Sequence, residues 1–299
     1  MSNPRVSVCL ITYNHEKYIR DALESIISQK TNFPFEVIVC NDKSTDNTES
    51  IIKEYLKSNS NIRYFSTEKR LGAIKNWIKC LNIVNSDYFA VIEGDDYWTD
   101  SHKLQKQFDF MEQKPEYSFC FHKLETKFER LNDNENYLNQ NIEEKDYTIE
   151  DIITKPWFIG TCSIFARKLF LPEVPHWING LMAIDRPLQL ILASNGKVGF
   201  INENMGVWRV HNEGISQIQW LGKERTFEKS QIQILKRFNT YSNYKYSNII
   251  YPKLYKLYNA LFEKNKDYKK DFLLIRYDFL KFRIYKYIRT KYNNVYTKK

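Results

Sequence analysis

The chain has 299 residues, enough for one large α/β domain or two modest ones, and its 42% hydrophobic content supplies a real core. Its net charge of +9 is uneven: residues 241–299 hold fifteen lysines and arginines against four acids, net +11, and the other 240 residues net −2. Five isolated cysteines without framework spacing argue against disulfides and for a reducing, cytosolic compartment, and no signal peptide or membrane-spanning apolar run is evident.

In chain order, Val6-Ser7-Val8-Cys9-Leu10-Ile11-Thr12 is a nearly continuous apolar, β-rich run, the pattern of a strand covered on both faces. Ile19, Leu23, Ile26 and Ile27 follow at helical spacing. Glu36 to Cys40 reads as a second strand, and Ser44 to Asn47 offers N-cap chemistry for a helix carrying Ile51, Ile52 and Tyr55. Ile62 to Phe65 predicts a third strand, Gly72 to Val84 a third helix, and Tyr88 to Ile92 a fourth strand ending in Glu93-Gly94-Asp95-Asp96. Helix is then expected over Lys103–Gln113, strand over Ser118–Leu124, a polar mobile loop over 126–147, helix over Ala183–Ser194 and strand over Gly206–Val210. From about residue 219 the pattern is helical. Strands alternating with helices imply a doubly wound, mostly parallel α/β sheet whose ligands bind at the carboxyl ends of its strands. Three polar segments, Thr12-Tyr13-Asn14, Asn41-Asp42 and Glu93 to Asp96, fall at those ends.

The first glycine of the chain is Gly72. A dinucleotide fold and a P-loop both need glycines directly after the first strand, so neither applies. The acidic cluster offers another way to hold phosphates. Glu93 and Asp95 lie two apart at a strand end and share a face, with Asp96 as a third carboxylate. Such carboxylates repel one another, and a hard divalent ion, Mg²⁺ or Mn²⁺, relieves this while sharing substrate phosphates. The plainer alternative is a solvated acidic turn with an aspartate capping the helix beyond Tyr97-Trp98. Tyr13 has the surface to stack a nucleobase and Asp42 the oxygen to accept a base N–H. Taken singly, a packed aromatic and a turn aspartate explain them as well.

The ordered set Val-Ser-Val…Thr-Tyr-Asn, Asn-Asp-Lys-Ser-Thr-Asp-Asn-Thr, Arg-Leu-Gly-Ala-Ile-Lys-Asn and Glu-Gly-Asp-Asp-Tyr-Trp resembles glycosyltransferase family 2 over about residues 4–217. The resemblance implies a GT-A fold, a nucleotide-sugar donor, and transfer of the sugar with inversion, as in cell-surface polysaccharide synthesis. It implies that Thr12, Tyr13, Asn14 and Asp42 meet the nucleoside, and that Gly72, Lys75 and Asn76 line the donor site. Glu93, Gly94 and Asp95 match the D-x-D metal motif, with Asp95 the direct ligand of Mn²⁺ or Mg²⁺. Asn41 replaces the usual first aspartate of an Asp-Asp pair, and Glu93 the first of D-x-D. Asp185 matches the catalytic base, against the alternative of a helix cap ahead of Pro187. Arg209 and His211, in Trp208 to Ser216, resemble the segment that closes on the diphosphate, His211 as a further metal ligand. Asp96, Trp98, Trp157, Gly160 and Thr161 are expected on the acceptor side.

These expectations divide the chain into a catalytic domain, 1–218, and a basic helical extension, 219–299. In the extension Leu273, Tyr277, Leu280, Ile284, Tyr287 and Ile288 recur at helical spacing, while Arg276, Arg283, Lys286 and Arg289 lie mostly elsewhere. That composition suits an anionic membrane surface, and packing on the body or a homo-oligomer contact are the alternatives. A glycan or lipid-linked acceptor at the inner face of the cell membrane follows. No nucleic-acid motif accompanies the charge. A sugar-nucleotide nucleotidyltransferase is disfavoured by the missing glycine loop. A non-catalytic carbohydrate-binding scaffold is disfavoured by the joint presence of Asp42, Glu93, Asp95 and Asp185. Uridine is the base expected, with thymidine and guanosine open.

Overall fold

The computed structural model describes residues 3–129, 142–214 and 226–264, with 277 and 280. The chain separates into two compact units, Met1–Gln217 and Ile218–Lys299.

The first unit is built on one mixed eight-stranded sheet. Its strands are β1 (Val6–Thr12), β2 (Phe35–Asn41), β3 (Ile62–Ser66), β4 (Tyr88–Glu93), β5 (Tyr97–Trp98), β6 (Tyr117–Phe128), β7 (Phe165–Arg167) and β8 (Lys197–Val210). They lie in the order β3-β2-β1-β4-β7-β6-β8-β5. β1 runs parallel to both β2 and β4, and β2 to β3, whereas β7 is antiparallel to β4 and β6, and β5 antiparallel to β8. Every residue of β1 is buried, as the continuous apolar run requires.

Helices α1 (Ile19–Ile27), α2 (Thr48–Leu56), α3 (Ala73–Ile83) and α4 (Lys103–Glu112) alternate with the early strands. Ile19, Ala22, Leu23 and Ile26 form the buried stripe of α1 at the 3.6-residue period. Helices α5 (Ile149–Thr154) and α6 (Asp185–Ala193) follow in the second half of the unit. Going outward from β1, the chain winds to β2 and β3 on one side and returns to β4 on the other. The β1/β4 seam is therefore the switch point at which an open α/β sheet leaves a crevice. Thr12 and Glu93 end the two strands at that crevice.

The structure extends two elements beyond their sequence signals. β6 continues to Phe128 and β8 begins at Lys197, because these strands pair in parallel along most of their length. The exposed Asn202-Glu203-Asn204 stretch and register shifts at His122/Lys123 and Lys123/Glu125 break the two-residue alternation that announces a strand. The expected loop over 126–147 is strand as far as Phe128, and its 130–141 segment lies outside the described residues. The expected cap of α2 comes from Asp46, whose Oδ1 accepts the N–H of Thr48, the first helical residue, while Asn47 makes no side-chain cap bond. The same loop is zipped to the end of β1: Asn14 N–H donates to Ser44 Oγ, Thr45 N–H to Asn14 Oδ1, His15 N–H to Thr48 Oγ1 and Glu16 N–H to Asp46 Oδ2. Asn14 takes a left-handed φ of 54°, which an asparagine tolerates.

The second unit contains α7 (Thr226–Tyr241) and α8 (Ser247–Lys264). Phe238 stacks on Tyr246 at 5.8 Å, and Ser247 Oγ donates to Asn239 Oδ1, closing the turn between them. Of the stripe expected at 273–288, only the exposed Tyr277 and Leu280 fall among the described residues. No helix among the described residues is long and apolar enough to cross a membrane. All five cysteines are free and buried.

Candidate functional site

The site grows from a strap. β4 ends at Glu93 next to β1, and only Gly94, Asp95 and Asp96 separate it from β5 on the far edge of the sheet. Gly94 N–H donates to Ile11 O and fixes the strap against β1. A Cβ on Gly94 would come within 2.8 Å of both His15 Nδ1 and Thr12 Oγ1, so glycine is required for this approach.

The three acids of the strap have different partners. Asp95 Oδ2 lies 3.0 Å from His211 Nε2 and 3.8 Å from His15 Nε2. Burial works to raise its carboxyl, but His15 and His211 outweigh that and hold it below the ordinary aspartate range. The same contact raises the His211 imidazole against the opposing effect of burial. Asp96 turns inward, 3% exposed, and accepts the backbone N–H of Arg209. Burial and the neighbouring Asp95 push it well up. Glu93 is likewise raised by burial and by Asp96, Asp95 and Asp185, while a hydrogen bond with Thr161 opposes this.

Several expected site residues have structural partners instead of open faces. The Arg209 guanidinium donates to Asp95 O and Asp21 Oδ2 and lies over the rings of Tyr97 and Tyr18. It braces the strap through Asp95. Asp96 and Trp98, expected on the acceptor side, are both buried, because strand alternation sends Trp98 into the core where its Nε1 donates to Cys162 O. Asn76 is 1% exposed, with its Nδ2 on Cys40 O, and ties α3 to β2 rather than lining an opening.

Just past β2, Asp42 accepts Leu71 N–H at 2.7 Å on one oxygen and Gly72 N–H at 2.8 Å on the other. It thereby organises the loop into α3, where Gly72 is the N-cap with φ 87°, a glycine conformation. Lys75 is exposed on the first turn of α3. Arg70, which spacing alone does not single out, lays its guanidinium 4.0 Å from the Tyr13 ring centroid. On the other side of the strap, Trp157 Nε1 donates to Asp185 Oδ2 at 2.5 Å. Asp185 is the first residue of α6, and burial raises its carboxyl against the hydrogen bonds of the Arg186 backbone and Trp157. The Trp157 ring packs edge-on against Trp208 at 5.2 Å. Thr161 opens a single 3₁₀ turn that Gly160 caps, its carbonyl accepting from Ser163. Ile215 and Ser216 lie outside the described residues.

A divalent cation can be tested against these side chains. Among the described residues, no three His, Cys, Asp or Glu side chains stand as a ready ligand set. Asp95 and His211, a carboxylate and an imidazole touching at 3.0 Å, are a fitting pair for an ion that shares its other positions with phosphate oxygens. The buried Nδ1 atoms of His15 and His211 have no partner in this arrangement.

Comparison with known proteins agrees with this architecture. The profile of glycosyl transferase family 2 matches residues 7–171. An uncharacterized protein of Mycobacterium tuberculosis is 30% identical over 224 residues, 75% of this chain and 64% of that protein. The chain thus spans just under two thirds of the length of that relative. The putative teichuronic acid biosynthesis glycosyltransferase TuaG of Bacillus subtilis is 27% identical over 75% of this chain and 86% of its own. In fold, the chain is similar to S. aureus TarS 1-349 in complex with UDP, with a TM-score of 0.59 at 18% identity, covering 87% of this chain and 72% of that one. It is also similar to the mannosyltransferase PcManGT from Pyrobaculum calidifontis in complex with GDP-Man and Mn²⁺, with a TM-score of 0.60 at 15% identity over 93% and 85%.

Proposed function

Because the chain belongs to glycosyl transferase family 2, we propose that its first unit moves one sugar from a nucleotide-sugar donor to an acceptor hydroxyl, with inversion, in the synthesis of a cell-surface polysaccharide. The observation that carries this reading is the strap at the β1/β4 seam. It offers Asp95 and His211 on one side and the Glu93, Thr161 and Asp185 group on the other.

Tyr13, covered on one face by Arg70, offers its other face to a nucleobase, and Asp42 holds the loop that carries Arg70 into α3. Exposed Lys75 and Arg70 supply positive charge toward a diphosphate. A uridine donor is the first candidate, since TarS is described with UDP and UDP-GlcNAc. Guanosine is the second, from the GDP-Man of PcManGT. Asp95 and His211 would hold Mn²⁺ or Mg²⁺, which when bound supplies charge against the departing diphosphate. Asp185 takes the proton of the attacking hydroxyl. Its raised affinity for a proton suits a base, and Trp157 fixes its orientation. Glu93, with its hydrogen bond to Thr161, belongs to the acceptor side in this reading. The basic extension attaches the enzyme to an anionic leaflet and brings it to a lipid-linked acceptor.

Donor hydrolysis across a panel of nucleotide sugars with Mn²⁺, followed by the Asp185→Asn variant, tests the assignment. Turnover should fall by about 10²–10⁴-fold while donor affinity is nearly intact. Full activity would return Asp185 to a structural role, and lost donor binding would move it to the donor site. Co-sedimentation with anionic liposomes, for the full chain and one ending near Tyr241, tests the attachment. Equal sedimentation of the two refutes it.

A further inference from the structure

Resting on the cation reading above, we propose that His15 is a third protein donor of the metal site, and that its imidazole, with that of His211, turns the site from Mg²⁺ toward Mn²⁺ and later transition ions. Two histidines from opposite ends of the unit, one after β1 and one after β8, converge on a single carboxylate oxygen. His211 Nε2 is 3.0 Å from Asp95 Oδ2 and His15 Nε2 is 3.8 Å from it.

Bonds of about 2.1 Å to one ion put neighbouring ligand atoms about 3.0 Å apart and opposite ones about 4.2 Å apart. The first distance equals the Asp95–His211 separation. The second exceeds the Asp95–His15 separation by a few tenths of an ångström. The Asp95–His211 pair thus stands at the spacing of neighbouring ligands, and His15 lies within a few tenths of an ångström of the opposite position.

Three features hold His15 in that position. Its backbone N–H is fixed by Thr48 Oγ1 at 2.8 Å. Its ring packs edge-on against Tyr18 and His211, with centroids 6.4 and 6.5 Å away. Gly94 leaves the space that the ring's Nδ1 edge occupies. Tyr13 and Asn14 precede it on the same strand end, so one short segment would serve both base and metal. Nitrogen donors discriminate against Mg²⁺, which takes oxygen, and favour ions later in the divalent series.

The test uses the full chain with saturating UDP and Mn²⁺ as the probe. Bound ion is read by electron paramagnetic resonance, and pulsed spectra count the coordinated imidazole nitrogens. Wild type should show two. His15→Gln, His15→Ala and His211→Gln should each show one, with circular dichroism confirming that each folds. In both His15 variants Mg²⁺ should compete against Mn²⁺ at least about tenfold better, the scale on which even outer-shell ligand changes act. One nitrogen in wild type, or an unchanged count and ion preference in the His15 variants, overturns the role of His15 and leaves the Asp95–His211 reading standing. Failure of wild type to bind Mn²⁺ at all with UDP removes both.

Discussion

Lys103 opens α4 with its side chain fully buried and no hydrogen-bond partner for Nζ, which sits 3.7 Å above the Trp98 ring. Burial lowers the ammonium from its ordinary value of 10.5 to about 7. Among the described residues no carboxylate supplies a counterion. Burial pushes the Cys120 thiol up to about 12 and raises Cys162 as well, and it lowers His122 to about 3 and keeps it neutral. The gap between 10.5 and about 7 corresponds to about 5 kcal/mol against the charged form. At pH 7, where the folded lysine is about half charged, this leaves roughly 4 kcal/mol of destabilisation. Between pH 7 and 10.5 the unfolded chain binds the extra proton, so stability rises with pH across that window. Lys103→Met should therefore stabilise the protein at pH 7 by roughly 4 kcal/mol, or about 8–16 °C in Tm for a unit of this size. The gap should close as pH approaches 10.5. Thermal unfolding followed by circular dichroism from pH 6.5 to 10 measures it. A variant no more stable than wild type at pH 7, or a gap that persists at pH 10, refutes the reasoning.

Trp157→Phe removes a donor that favours the charged form of Asp185, a group otherwise facing Arg186 and Glu93. Because the base acts deprotonated, the acid limb of the turnover profile should move to higher pH. An unmoved limb separates Asp185 from catalysis. Asp42→Ala leaves two N–H groups of the loop without acceptors, at about 1–3 kcal/mol for each. Asp42→Asn, which keeps one acceptor, should fall between the two in urea denaturation, and equal stability of all three contradicts the loop role. Gly94→Ala drives a methyl into His15 and Thr12 and should destabilise by about 1–3 kcal/mol. Calorimetry should also show weakened UDP binding in Mn²⁺, and an unaffected titration would dissociate the strap from the donor.

The sheet was legible where burial on both faces leaves an uninterrupted apolar run, as in β1, β2 and β4. It was illegible in the first part of β8, up to the exposed Asn202–Asn204 stretch, which carries no alternation because the pairing with β6 is bulged there. Among candidate site residues, Asp95, His211 and Asp185 came from the family resemblance, and the fold brings Asp95 and His211 to 3.0 Å from each other. Arg70 and His15 were missed for a different reason. The partner of Arg70 is a ring 57 positions earlier, and spacing contains no trace of it. His15 had a usable signal: a parallel β1/β4 pair sets the residues after Thr12 beside those after Glu93. Lys103 reads as a surface lysine in any helical pattern, and only the fold reveals that its turn begins beneath Trp98.

The three-residue strap between β4 and β5 also sets how this protein tolerates change in length. Tyr97 meets Arg209 and Trp98 meets Cys162 and Lys103, on opposite faces of a two-residue strand. Adding or deleting one residue in the strap would exchange the two aromatic rings between those faces, since strand side chains alternate strictly. The indole would then displace the arginine that braces Asp95, and the phenol would enter a dry compartment. Diversification by insertion is thus closed to this segment, and variation that retains the site is confined to substitution, one side chain at a time.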